Sequence, residues 1–302
     1  MKNLMKSTNF WFAFGLTALY GVIGLLLLHF HWADYGWGLF VALPFCIGIA
    51  GGLTAKPEDA LKGILNSLLV LFLVILVTAI EGIICLLLML PIFGLAVAIG
   101  FMIGRPIRRA FLAKYDKVRV QLIPLALLLS VVSVENQISA PEEVVYEVSS
   151  EIILPYSPEE VYDAIKSVDT LIAEKPFLMK LDLPVPHKCI LEKEEVGALR
   201  ICYFEGGRIV ERITELDRGR ILKMDVIDYE LTGRAWLGFK EAIYYFEPVG
   251  ASSCKMTRIT TYTTDLYPRT YWEPLERIGI EQEHQYVFRN LQRDLRNAHG
   301  LR

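Results

Sequence analysis

Three side chains in the C-terminal half have the type and setting for acid–base chemistry: Glu205, Glu211 and His284. Alternate residues of a strand share a face. In Leu199 to Glu205 this sets Ile201, Tyr203 and Glu205 on one side, with Cys202 and Phe204 on the other, and in the next segment Ile209, Glu211 and Ile213 line one side. A carboxylate between two isoleucines can face an apolar cavity, where burial raises its pKa and suits it to proton transfer. It can equally pair with an arginine on a neighbouring strand, or be solvated at an edge. His284 is the polar member of a helical stripe formed with Ile280, Val287, Leu291 and Leu295, which makes it either a ligand contact or a core histidine bonded to a backbone carbonyl. Tyr262 to Trp272 (YTTDLYPRTYW) concentrates aromatic rings at a strand-to-helix corner, where Tyr262, Arg269, Tyr271 and Trp272 either rim a cavity mouth or pack the helix. The candidate ligand contacts are therefore Tyr203, Glu205, Glu211, Tyr262, Arg269, Tyr271, Trp272 and His284, and the candidate general acids or bases are Glu205, Glu211 and His284.

No metal or cofactor is expected. His29 and His31 stand beside Trp32, Tyr35 and Trp37, a composition that suits a membrane–water interface better than a ligand set. Of the five cysteines, Cys46 and Cys85 lie in apolar runs, and Cys189, Cys202 and Cys254 show no metal or redox spacing. Cys189 and Cys202 are symmetric about Glu195-Val196, so a hairpin can bring them together, although spacing alone does not fix a pairing.

The elements that must position these residues differ along the 302-residue chain, which is 53% hydrophobic. Formal charge is +5 before Glu135 and −8 from there on. The acidic second part lacks the cationic surface that nucleic acid requires. The first part reads as about five transmembrane helices, at residues 10–30, 37–53, 64–80, 83–103 and 120–134, each bounded by polar residues or a tight turn. Gly48, Gly51 and Gly52 permit close helix approach, and Pro57-Glu58-Asp59 is a helix start. Glu81, at the turn of a helical hairpin, is either an interfacial residue or an intramembrane carboxylate on a proton or ion path. All ten Lys and Arg of this part lie at the N-terminus, in 54–63 or in 104–119, and none at 31–36 or 81–82. That distribution sets the N-terminus in the cytoplasm. The segment Val120 to Val134, about 22 Å long at the helical rise, then decides sidedness. If it crosses, the remainder of the chain lies on the outer face of the cytoplasmic membrane.

Residues 135–142 read as a linker. Beyond them come a strand (Val144 to Leu154), a helix opened by Ser157-Pro158-Glu159-Glu160, six strands separated mostly by glycine turns, and a long helix around Tyr271 to Asn297. This is an α+β helix-grip order, an antiparallel seven-stranded sheet wrapped on a C-terminal helix. The stretch Ser149 to Tyr162 (SSEIILPYSPEEVY) resembles the opening strand and helix of the START-like or SRPBCC superfamily, which includes Bet v 1 and polyketide cyclase-like proteins. Val196-Gly197-Ala198, Phe204 to Gly207 and Ile209 to Glu215 resemble bacterial membrane-attached members of it. The resemblance covers residues 144 to 298. It implies a domain, here 143–302, with a deep apolar cavity between sheet and helix that takes a lipid or other hydrophobic small molecule. A minority of members catalyse cyclisation or hydrolysis inside it. The leading expectation is a membrane-anchored binding module whose partners are such a molecule and the bilayer. Its rivals are a cyclase- or hydrolase-like enzyme using the cavity carboxylates and His284, and a transporter or sensor working through Glu81.

Overall fold

The computed structural model describes residues 7–54, 56–78, 80–112, 117–138, 144–231, 236–250 and 252–300. Its contacts divide the chain into two compact units. The first comprises the helices before Glu142 with Asp265–Trp272, and the second comprises the sheet with most of the C-terminal helix. Lys2, Lys6, Lys114 and residues 139–142 of the expected linker lie outside the described residues.

In the first unit, α1 (Thr8–His29), α3 (Pro57–Val77) and α4 (Ile83–Ile107) are joined by a π-helical turn (Gly38–Ala42) running into α2 (Leu43–Gly52), by α5 (Lys117–Val120) and by α6 (Leu122–Ile138). Among the described residues three helices, not five, are long and apolar enough to cross a membrane: Thr8–His29, Pro57–Val77 and Ile83–Phe111. The other two expected spans are the shorter apolar helices Gly38–Gly52 and Leu122–Gln137. At 1.5 Å per residue they fall short of a hydrocarbon core of roughly 30 Å. The third expected span begins earlier than its apolar run, because Pro57 at the first helical position and Glu58 and Asp59 behind it start α3 before the hydrophobic residues do.

Two features pack α2. Gly48 and Gly52 meet α4 so closely that an added Cβ would overlap the Val97 carbonyl oxygen at the first position and lie 2.6 Å from that of Phe101 at the second. Gly100 and Gly104 return the contact on Phe45 and Ile49. Both pairs have the small-xxx-small spacing that lets helix backbones touch in lipid. Gly48→Ala is therefore expected to cost about 1–3 kcal/mol, read as a lower unfolding temperature in detergent. Gly94→Ala, whose Cβ would meet nothing within 4 Å, is expected to be neutral or slightly stabilising. The second feature is Glu135, whose carboxylate accepts the backbone N–H of Trp37 at 2.6 Å and of Gly38 at 2.8 Å, satisfying donors at the start of the Gly38 helix. Glu81 accepts a hydrogen bond from the Tyr35 hydroxyl, so Tyr35 and the turn carboxylate belong to one contact.

The second unit is a seven-stranded antiparallel sheet: β1 (Tyr146–Leu154), β2 (Pro186–Leu191), β3 (Leu199–Phe204), β4 (Gly207–Asp217), β5 (Ile221–Leu231), β6 (Leu237–Pro248) and β7 (Cys254–Thr264). The strand order is β1-β7-β6-β5-β4-β3-β2, so the first strand pairs with the last and β2 is the far edge. Between β1 and β2 come α7 (Pro158–Lys166) and the one-turn α8 (Phe177–Lys180), and α9 (Arg269–Ala298) closes the chain. The Ser157 start is a full capping box: its hydroxyl accepts the Glu160 N–H, and the Glu160 carboxylate accepts the Ser157 N–H at 2.8 Å. The apolar stripe of α9 lies against the sheet. Tyr286, Val287, Leu291 and Leu295 share a core with Leu154, Tyr162, Met224 and Phe246. A smaller apolar cluster, Val148, Leu237 and Tyr262 with Ile280 against it, stands apart.

Candidate functional site

The inner face of the sheet follows from the register. Ser150 on β1 is opposite Arg258 on β7, Arg258 is opposite Tyr244 on β6, and Tyr244 is opposite Leu222 on β5. Toward the far edge, Arg200 on β3 is opposite Glu211 on β4. All six residues are buried except Ser150, which is partly so. Both arginines pack on the Tyr244 ring, with guanidinium carbons 5.9 Å (Arg200) and 5.5 Å (Arg258) from its centroid. The interior thus contains two buried cations sharing one aromatic ring.

The arginines are bonded very differently. Arg200 is fully committed: Nη1 donates to Glu211 Oε2 at 2.7 Å, Nε to the Lys166 carbonyl at 3.0 Å and Nη2 to the Ile165 carbonyl at 3.3 Å. It joins β3 to β4 and also satisfies carbonyls left open at the end of α7. Arg258 reaches Glu283 of α9 through Nη2 at 2.8 Å, whereas its Nε and Nη1 are buried and find no acceptor among the described residues.

His284 stands beside this pair, fully buried. Its Nδ1 is 2.9 Å from Ser150 Oγ and its Nε2 2.8 Å from Thr260 Oγ1. A neutral imidazole has one donor and one acceptor nitrogen, so one hydroxyl gives a hydrogen bond and the other takes one. Burial, helped by the nearby Arg258 charge, lowers the His284 pKa to about 2. The unfolded chain takes up a proton near 6.5 and the native state does not. Stability is therefore level above that pH and falls as pH drops below it, by about 1.4 kcal/mol per unit. Unfolding measured from pH 7 to pH 5 is expected to show this loss in the wild type, and a correspondingly flatter profile in His284→Gln.

The remaining candidates go to different places. Glu211 is buried against Arg200 across the strand pair. Tyr203 has the opposite parity to Arg200 and Cys202 and is 37% exposed, and Glu205 forms a surface pair with Lys175 at 2.9 Å. Tyr262 is buried and its hydroxyl donates to Glu276, which also accepts from Thr264. Arg269, Tyr271 and Trp272 belong by their contacts to the first unit: Trp272 lies on the Phe40 ring at 4.9 Å, the Tyr271 hydroxyl donates to the Leu88 carbonyl, and Arg269 bonds the Leu266 carbonyl. The structure therefore brings together Glu211 and His284 with Arg200, Arg258, Tyr244, Glu283, Ser150 and Thr260. Sequence reasoning overlooks Arg258 and Glu283. The alternation of Met256, Arg258 and Thr260 with outward residues is the available signal for the first.

Cys189 and Cys202, directly opposite on β2 and β3, form a disulfide. A groove of about 610 Å³ lies elsewhere, between α7 and the end of α9. Three of its carboxylates are engaged, Asp163 by Arg218 and Lys166, Glu160 by Ser157 and His299, and Asp294 by Arg293. No group of three His, Cys, Asp or Glu able to hold a metal ion occurs among the described residues.

No family model matches the chain, and no curated protein does so either. Among solved structures it is similar to the Zhui aromatase/cyclase of Streptomyces sp. R1128 (13% identity, 51% of this chain and 96% of that one, TM-score 0.38). A START superfamily protein of Mycobacterium smegmatis is similar at 10% identity (50% and 98% covered, TM-score 0.38). A norcoclaurine synthase point mutant of Thalictrum flavum is similar at 17% (52% and 98% covered, TM-score 0.36). Likeness of this degree concerns the fold, from which no activity follows.

Proposed function

We propose that the chain is a membrane-anchored START-like module that binds a lipid or other hydrophobic small molecule between the sheet and α9. The observation behind this reading is the make-up of the interior. Beside the apolar core that the sheet shares with α7 and α9, Arg200, Glu211 and Arg258 are buried on the inner face of the sheet and His284 is buried on α9. Buried charge is costly to keep for packing alone, and polar groups inside an otherwise apolar enclosure are how ligand sites gain orientation and specificity. The apolar helices of the first unit would hold the module at the bilayer, raising the local concentration of a ligand that partitions there. In this reading the two shorter apolar helices also cross, with local thinning of the bilayer and snorkelling flanks making up their length, giving five spans, a cytoplasmic N-terminus and a second unit on the outer face.

An acid–base role for Glu211 and His284 gains no support from their partners. The carboxylate is held by a guanidinium and the imidazole by two hydroxyls. Native mass spectrometry of the full-length protein released from detergent tests the binding reading. One small molecule retained per chain through activation that strips bulk lipid supports it. A bare chain after mild activation, from every membrane source and detergent tried, overturns it.

A further inference from the structure

The difference between the two buried arginines carries a step beyond hydrophobic binding. Both lie on the same tyrosine ring and both have a glutamate. In Arg200 every nitrogen has an acceptor. In Arg258, Nε with one N–H and Nη1 with two have none among the described residues. Buried donors are paired in nearly all native proteins, and each exception calls for a physical explanation. Arg258 is also not sealed: 11% of its side-chain surface and 20% of that of Glu283 remain reachable, against 3% and 8% for Arg200 and Glu211. One pair is thus a closed structural tie, while the other has spare buried donors on a side chain that is not wholly covered.

We propose, resting on the binding reading above, that the ligand is an amphiphile with an oxyanion head, a carboxylate or a phosphate, and that Arg258 receives this head through Nε and Nη1. The Tyr244 ring holds the guanidinium in place from the sheet side, and the neighbouring His284, being neutral, adds no charge of its own. Glu283 is the competing anion. It neutralises Arg258 when the site is empty, and its partial exposure lets it yield when a ligand head arrives. An oxyanion bound at a desolvated guanidinium gains charge-assisted hydrogen bonds that an alcohol of the same tail length cannot match.

The test uses the full-length protein in nanodiscs and four probes: palmitate, hexadecyl phosphate, hexadecanol and inorganic phosphate. Palmitate or hexadecyl phosphate is expected to bind at least roughly tenfold more tightly than hexadecanol, with the tighter of the two naming the head. Arg258→Gln is expected to abolish that margin while leaving hexadecanol unchanged. Glu283→Gln is expected to tighten oxyanion binding severalfold, a gain that a misfolded variant cannot produce. Equal binding of all three amphiphiles in wild type and variants overturns the assignment of the head and leaves the hydrophobic site standing. Binding of inorganic phosphate as tight as that of either anionic amphiphile shows that the anion needs no tail and overturns the amphiphile. Failure of every amphiphile to bind removes the binding reading itself.

Discussion

Glu211→Ala is expected to destabilise the second unit by about 3–5 kcal/mol, the usual consequence of stranding one member of a buried ion pair. Arg200 and Glu211 are 3% and 8% exposed at their side chains and 2.7 Å apart, so removing the carboxylate leaves a guanidinium with no counter-charge. The carbonyls of Ile165 and Lys166 still accept from it, but they do not neutralise it, and Arg258 shares its tyrosine ring as a second positive charge. The paired replacement Arg200→Met with Glu211→Leu is expected to recover most of the loss, because it removes both desolvation costs and fills the space with apolar atoms. What it does not recover is the tie to the end of α7, so a residual cost of about 1–2 kcal/mol is expected from the two lost carbonyl contacts. A double-mutant cycle on chemical unfolding measures the coupling directly. A cost for Glu211→Ala below about 1 kcal/mol would mean that water reaches the pair.

For Glu211 the sequence makes the right alternative legible without choosing it. Strand alternation places Ile209, Glu211 and Ile213 on one face, as found, but pairing with Arg200 depends on the β3–β4 register, which no local pattern states. The α7 start is readable because every element of a capping box lies within four residues. The Arg258–Glu283 contact joins a strand to a helix that is continuous in pattern with any apolar stripe, and only the packing of α9 on the sheet creates it. His284 reads as a polar member of that stripe, and its two hydroxyl partners come from β1 and β7, distant segments whose adjacency is topological. The aromatic corner is open for a related reason: density of rings signals burial, but not which surface does the burying, and for Trp272 that surface includes the Phe40 ring. In the first unit, composition locates every apolar helix, while helix length, set by where turns fall, leaves two of them short of a full span.

Reduction of the Cys189–Cys202 disulfide is expected to cost the second unit on the order of 3 kcal/mol, the chain-entropy value for a bond closing a loop with a sequence separation of 13. The loss should fall on one edge of the sheet. Cys189 exchanges backbone hydrogen bonds with Val168 at 2.7 and 2.8 Å, so the bond fixes β2 and the chain leaving α7 at once. Cys202 shares the inner face of β3 with Arg200, two residues before it, and its Sγ is 3.8 Å from Glu211 Oε2. Loosening this edge is therefore expected to weaken the Arg200–Glu211 tie as well. Unfolding with and without a phosphine reductant measures the cost, and Cys189→Ala with Cys202→Ala should reproduce it without reductant. The same bond tests the proposed orientation, because disulfides persist on the oxidising side of a membrane and are rare in a reducing cytosol. A chain with five spans and a cytoplasmic N-terminus carries its second unit outward, where the bond survives. Cells lysed in denaturant with a maleimide reagent are expected to show Cys189 and Cys202 protected until reductant is added, with Cys254, a free thiol, as the internal control. Labelling of all three without reductant would place the second unit in the cytosol and leave the Val120 to Val134 segment on one side of the membrane.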